Sequence, residues 1–496
     1  MVYIIYFKEN SMIPDTIKRH KLPGTEIRHK NGHYYVYRVE GYYDKEAKKP
    51  KSRSLGCIGQ IYDDIGFVPN SKCSKAAELV TKEYGATRLV IATSEELLGV
   101  LKDCFPSEFM RVYVLAVLKL LGNLAAKDID VAYGRSAISE MFPELHLSRN
   151  TVSDFLCKLS LQRKEMLKFM RKYTDCEGGS IIFDGSSFIS GSRCNPFCEK
   201  GYSPGKIGKT QIRLIYAYNR TSCLPVYFRV VPGSESDKAA FEAALEEIDG
   251  KEHIIILDKG FFSEKNIRSI FQFKADFIIP LQKNTVEVEP ELKKFSAYEL
   301  AIPNVFSYHK RVIYFTELVS KKYNGCRVCV YYDCERRQQL MENYFRKIQD
   351  EDGNVPEAAQ ASIPCDTESF GVTMLLTSTK DVSPRQVYLD YKARWGIEEM
   401  FDTHKNTLGF NMKYETKYET QEGWAFIEFL ALLMYHKING LLISKDIIKT
   451  YNVKDILFRA ATITQSKISG AWKICNMSKP LADIFRNLGV TVNPLT

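Results

Sequence analysis

The stretch between residues 178 and 281 leaves this chain little choice of fold. GGSIIFDGSSFIS, QIRLIYAYN and LPVYFRVVPG are three runs of strand length, rich in β-branched and aromatic residues. KAAFEAALEEI, HIIILD, EKNIRSIFQF and ADFIIPL follow as helix, strand, helix and strand. That succession predicts an α/β layer arrangement around a buried sheet. A less regular section over 283–369 interrupts it, with strand-like YHKRVIYFTELV and CRVCVYYD and the charged helical run ERRQQLMENYFRKIQDED. The α/β pattern resumes at GVTMLLTS, and Ser383-Pro384 then opens a helix with a cap followed by proline in its first turn.

The flanks differ in character. Residues 1–75 read as a basic, β-rich segment, in which GHYYVYRVEGYYDKEAKKPKSRSLGCIG surrounds a proline-containing basic loop as a hairpin would. They carry 14 Lys and Arg against 8 Asp and Glu, most of the chain's net charge of +9. Such a surplus favours a polyanionic partner, although a solubilising surface has the same composition. Residues 76–175 read as helical. Within them YGRSAISEMFPELHLSRNTVSDFLCKL is compatible with a helix-turn-helix whose second helix, capped by Ser148, presents Arg149, Asn150 and Ser153. Pairs of short helices are, however, common as mere packing units. Residues 446–496 read as a helical C-terminal segment.

A hydrophobic content of 45% with 12% aromatics belongs to a globular chain and excludes disorder as the reason for the charge. The 13 cysteines show no framework, and MVYIIYFKEN lacks the pattern of a signal peptide. Cys194, Cys198, Cys326 and Cys329 lack paired zinc-knuckle spacing, and the last two lie among strand formers. The most apolar late segment, WAFIEFLALLMYHKINGLLI, contains Glu428, His436 and Lys437 and reads as a buried helix instead of a membrane span. The expectation is a cytoplasmic protein with reduced thiols and no membrane partner.

Three acids stand out. Asp184 interrupts the apolar strand IIFDGSSF, where a carboxylate is costly without a cation, and Asp258 ends the apolar run IIILD. The third lies in YKARWGIEEMFDTHK, 391–405. On an ideal helix at about 100° per residue, with Tyr391 at zero, Arg394 lies at about 300°, Glu398 at about 340° and Lys405 at about 320°, while Glu399 points away at about 80°. The plain reading is an exposed ion-pair face, since Arg394 and Glu398 have i, i+4 spacing. In front of two strand-borne aspartates, however, the same stripe makes an all-oxygen site suited to two magnesium ions and a phosphate. His309 and His404 read as surface residues.

Tyr391, Arg394, Glu398 and Lys405 spell Y-x2-R-x3-E-x6-K, which resembles the signature of the IS-four-like insertion-sequence transposases. FDGSSF resembles that group's first-Asp motif, with Ser186 where threonine is common, and LDKGFFS its second. The resemblance covers about 176–445. It implies a ribonuclease H-like α/β core, its first part at 176–282 and its second at 370–445, split by a β-rich insertion at 283–369 and flanked by the β-rich N-terminal segment and helical domains. It further implies a metal-dependent Asp184–Asp258–Glu398 triad holding Mg2+, with Mn2+ as a substitute. Arg394 and Lys405 would grip the DNA backbone, and Tyr391 would place a phosphate or terminal base. The partners implied are double-stranded DNA, as terminal inverted repeats and as target, and a second copy of the chain in a synaptic homodimer. A nuclease of the same fold without strand transfer, and a catalytically silent DNA-binding repressor, are the competing readings.

Overall fold

The computed structural model describes residues 13–44, 48–70, 80–174, 179–201, 208–248, 253–281, 304–350, 353–360, 363, 367, 369–468 and 470–495. Part of the 283–369 section therefore lies outside the described residues. The chain forms two compact units, one made of 1–82, 464–476 and 493–496 and the other of 83–463 and 477–492.

In the smaller unit, strands β1 (Thr25–Lys30), β2 (His33–Asp44), β3 (Lys49–Tyr62) and β4 (Gly66–Pro69) form an antiparallel sheet in chain order. Asn31 and Gly32 both have positive φ, 53° and 77°, as a two-residue hairpin turn demands, and this fixes the pairing of Lys30 with His33. Ile17, Ile27, Val36 and Ile61 form its small core. Strand β5 (Val80–Glu83) joins Thr464–Ile468 and Ala471–Cys475 in a second sheet of three strands. The segment 446–496 is thus not purely helical. TQSKI and AWKIC are short and half polar, so their strand character comes from pairing with each other and with a strand from the far end of the sequence.

The larger unit is a mixed α/β structure with one large mixed sheet. Among the helices that precede that sheet are α1 (Phe109–Leu121), α2 (Arg149–Ser160) and α3 (Arg163–Thr174). The sheet itself begins with β6 (Ser180–Ser190), β7 (Glu199–Lys200), β8 (Thr210–Asn219) and β9 (Leu224–Pro232). Next come α4 (Asp237–Ile248), β10 (Ile254–Leu257), α5 (Glu264–Gln272) and β11 (Asp276–Pro280). Strands β6, β8 and β9 pair antiparallel, whereas β10 lies parallel to β6 and β11 parallel to β10. Parallel neighbours need a crossover, which α4 and α5 supply. Ile181, Ile182, Phe183, Ile255, Ile256 and Leu257 are buried, as strands covered on both faces must be.

The section after β11 extends this same sheet. Strands β12 (Val305–Tyr308), β13 (Arg311–Val319) and β14 (Arg327–Asp333) run antiparallel in sequence. After α6 (Cys334–Ile348), β15 (Val372–Thr377) inserts between β14 and β11. Cys329 on β14 and Cys326 just before it lie buried, and burial pushes both thiols up to about 11.

The chain then forms α7 (Pro384–Lys392), α8 (Trp395–Asp402), β16 (Met412–Lys413) and α9 (Tyr418–Ser444). Helix α9 is long and apolar enough to cross a membrane by length and composition, but Trp424 to Met434 are buried in the protein. It packs on α1, α2 and β9, with Phe426 and Phe429 against Phe228 and Phe426 against Phe169 and Phe105. Helix α2 therefore spends Val152, Phe155, Leu156 and Leu159 on the core while Arg149 and Asn150 stay exposed. Ser148 caps it by accepting from the Thr151 amide, at 3.4 Å.

Candidate catalytic site

Register brings the two aspartates together. Phe183 on β6 is paired with Leu257 on the parallel strand β10, and Asp184 and Asp258 are the next residue of each. Neighbouring strands stand about 4.8 Å apart, so the two carboxylates share one level of the sheet. Asp184 Oδ1 accepts from the Gly185 amide at 2.8 Å. Asp258 closes β10 and begins a short 3-10 turn, Lys259–Phe261, after which Ser263 caps α5 by accepting from the Asn266 amide at 3.1 Å.

The third acid arrives on a helix that is not continuous. Helix α7 ends at Lys392, Ala393 and Arg394 make a tight turn, and α8 starts at Trp395. A π-helical turn, Thr403–Thr407, follows, closed by the Leu408 amide donating to the Thr403 carbonyl at 2.8 Å. The ideal-helix projection over 391–405 therefore fails in detail, because each interruption rotates the residues beyond it. The local i, i+4 relation survives: Arg394 Nη2 donates to Glu398 Oε1 at 2.5 Å. Glu399 is exposed.

Arg394 is the hub. Its guanidinium lies 3.7 Å from Asp184 Oδ2 as well as beside Glu398. Burial opposes its charge, but Asp258, Glu398, Tyr391 and Asp184 overcome that and raise its pKa. Burial likewise raises the Tyr391 phenol, against the pull of Arg394. Tyr391, Arg394, Asp184, Asp258 and Glu398 thus share one electrostatic neighbourhood.

Lys405 sits farther along β6. The π turn directs its ammonium to the Ser186 hydroxyl and places it 4.7 Å from the Phe188 ring centroid. Ser186 is two residues beyond Asp184 and so on the same face of the strand. The same turn drives His404 inward. It is fully buried among Phe188, Tyr216 and Phe410, contrary to a surface assignment. Burial first, then Lys413, Lys405 and Lys119, hold its pKa well below the ordinary histidine value. His309 is exposed.

Several features hold this assembly against the sheet. Ser383 caps α7 by accepting from the Gln386 amide at 3.2 Å. Asp390, buried and pushed up by burial, takes hydrogen bonds from Gln386 at 2.6 Å and from Arg220, which follows β8. Tyr388 packs on Phe306, Tyr308 and Tyr331 of the inserted strands. Gly396 lets α8 approach β8, since a Cβ there would lie 2.9 Å from the Tyr218 ring. Asp390 and Arg220 carried no local signal in the sequence, because an acid in a polar helical run reads as surface.

Among the described residues no group of three His, Cys, Asp or Glu is gathered closely enough to hold a metal ion; Arg394 stands among the three acids. Their chemistry still fits a hard divalent cation. Two aspartates and a glutamate offer only oxygen, and they already converge on one positive charge.

A cryo-EM structure of the piggyBac transposase synaptic complex with hairpin DNA aligns at 13% identity, over 71% of this chain and 70% of that one, with a TM-score of 0.39. The Mos1 transposase paired-end complex with left transposon end aligns at 11% identity over 50% and 73%, with a TM-score of 0.15. No curated protein matches the chain. The family described as "Transposase DDE domain" matches residues 180–434, more than half of the sequence and every acid discussed above, and the chain belongs to that family.

Proposed function

We propose that this protein is an insertion-sequence transposase of the IS-four-like branch, with a ribonuclease H-like core, acting on DNA in the bacterial cytoplasm at the nucleoid. It would bind terminal inverted repeats, cut the ends by phosphodiester hydrolysis and join them to target DNA by transesterification, with two copies pairing two ends. The observation that carries this reading is the convergence of Asp184, Asp258 and Glu398, from two adjacent parallel strands and a helix, on Arg394.

In this reading Asp184, Asp258 and Glu398 hold Mg2+, or Mn2+ in its place. Bound there, the metal supplies a polarised water or 3′ hydroxyl and charge stabilisation at the leaving oxygen. The protein's own groups do the positioning. Arg394, held by Glu398, offers its remaining donors to a phosphate oxygen, and Tyr391 beside it orients the backbone. Lys405 adds a second cation two residues along β6. The smaller unit, with its basic hairpin, carries end recognition.

The test is cleavage of DNA bearing the inverted repeats that bracket the gene, in Mg2+, by the full chain and by Asp184→Asn. Loss of cleavage with retained binding supports the assignment, and full cleavage by Asp184→Asn overturns it.

A further inference from the structure

The β12–β13 hairpin reverses through His309 and Lys310, with Tyr308 paired to Arg311 across the turn. Their φ angles, 47° and 66°, are both left-handed, a conformation usually left to Asn or Gly. Holding non-glycine residues there costs on the order of 1 kcal/mol or more each. Both tip residues are exposed, and the hairpin meets α7 through Tyr308 beside them. The Tyr308 ring lies 5.4 Å from that of Tyr388, and the Lys392 ammonium lies 5.1 Å from the same Tyr388 ring. Arg311 reaches Asp333 at 2.9 Å, and Asp333 caps α6 by accepting from the Arg336 amide, also at 2.9 Å.

The hairpin tip, the start of α6 and the end of α7 thus meet two residues from Arg394, and each contributes a cation. Among the described residues that act on Lys392, Arg311, Arg336 and Arg394 are positive and Asp333 is negative. Burial first, then these cations, lower the Lys392 pKa. Asp333 is already committed to Arg311 and to the helix cap. Positive charge is therefore in surplus on a partly dehydrated surface, where like charges are held together at a cost.

We propose that Lys310, Arg311, Arg336 and Lys392 form a second phosphate-binding surface, which grips the DNA backbone beside the strand held at Arg394. The cations are spread over three elements, which suits a run of phosphates better than a single free one. Duplex DNA presents one charge per about 1.7 Å of axis, the partner such a surface matches. The proposal rests on the DNA-transposase reading and adds to it a surface outside the triad and its signature.

The experiment is a salt series of fluorescence anisotropy, with the full-length protein, a short labelled duplex of mixed sequence, and EDTA to prevent cleavage. The triple variant Lys310→Gln, Arg336→Gln, Lys392→Gln should lower the slope of log affinity against log salt by about 2 to 3, near 0.9 for each phosphate no longer neutralised. Lys392→Arg should keep the slope. Arg336 is exposed at the start of α6, so Arg336→Gln should leave the melting temperature unchanged while removing about one unit of slope. An unchanged slope in both the triple variant and Arg336→Gln overturns the surface, whatever happens to cleavage. Unaltered cleavage by Asp184→Asn would instead overturn the transposase reading and leave the slope result standing.

Discussion

The guanidinium of Arg394 lies 3.7 Å from the carboxylate of Asp184, although 210 residues separate them in the chain. The same group is bonded to Glu398 one helical turn away. One side chain thus ties the helix-borne acid to the strand-borne acid. Arg394→Ala should abolish most cleavage while a metal-dependent rise in melting temperature persists, because the carboxylates remain. Thermal melts with and without Mg2+, run beside the cleavage assay, separate the two effects. Loss of the Mg2+ response together with activity would make Arg394 a structural strut only.

Glu398 and Glu399 should part company. Glu398 is half-buried against Arg394, whereas Glu399 is exposed on the next 100° of the helix. Glu398→Gln should lower the cleavage rate by orders of magnitude at saturating Mg2+. Glu399→Gln should cost little, since an exposed carboxylate contributes at most about 1 kcal/mol through a surface pair. Equal losses would mean that α8 presents another face to the DNA.

Behind the site, Lys413 donates to Glu428, and Lys119 lies 3.8 Å from the same carboxylate, with all three nearly buried. Glu428→Gln takes from the two lysines their nearest carboxylate, leaving only Glu415 to act on both, and should destabilise the larger unit by up to about 3–5 kcal/mol. Adding Lys413→Met should recover part of that loss, because one stranded charge is then gone. Urea unfolding of the three proteins measures both numbers, and no difference between the single and double variants would show that the pair is solvated.

Acid should weaken the fold through a buried histidine. Burial lowers the His436 pKa from 6.5 to about 4. Between those values the unfolded chain binds a proton that the folded chain refuses, so this contribution is intact above about pH 6.5 and lost as pH falls towards 4. The size is about 3 kcal/mol at 1.36 kcal/mol per unit. His436→Leu should flatten the decline in melting temperature over that window. An unchanged pH profile would place the titration on other groups, such as His404.

Much of the core was legible in local pattern. Apolar runs of strand length fixed β6, β8, β9, β10 and β11, because burial on both faces demands continuous hydrophobicity. The i, i+4 spacing of Arg394 and Glu398 is likewise a local fact, and their ion pair follows from helical geometry alone. The identity of Asp184 as an acid inside an apolar strand was visible for the same reason. Local pattern did not carry the rest. That Asp184 and Asp258 stand side by side is decided by the parallel register that pairs Phe183 with Leu257, 74 positions further along the chain. That Lys405 meets Ser186, and that His404 is buried, is decided by a π turn whose extra residue per turn no wheel projection anticipates. That Asp390 anchors the site helix depends on Arg220 beyond β8. That TQSKI and AWKIC are strands depends on β5 from the opposite end of the chain. Periodicity reports which residues seek burial, but only the packed sheet decides which distant charges become neighbours.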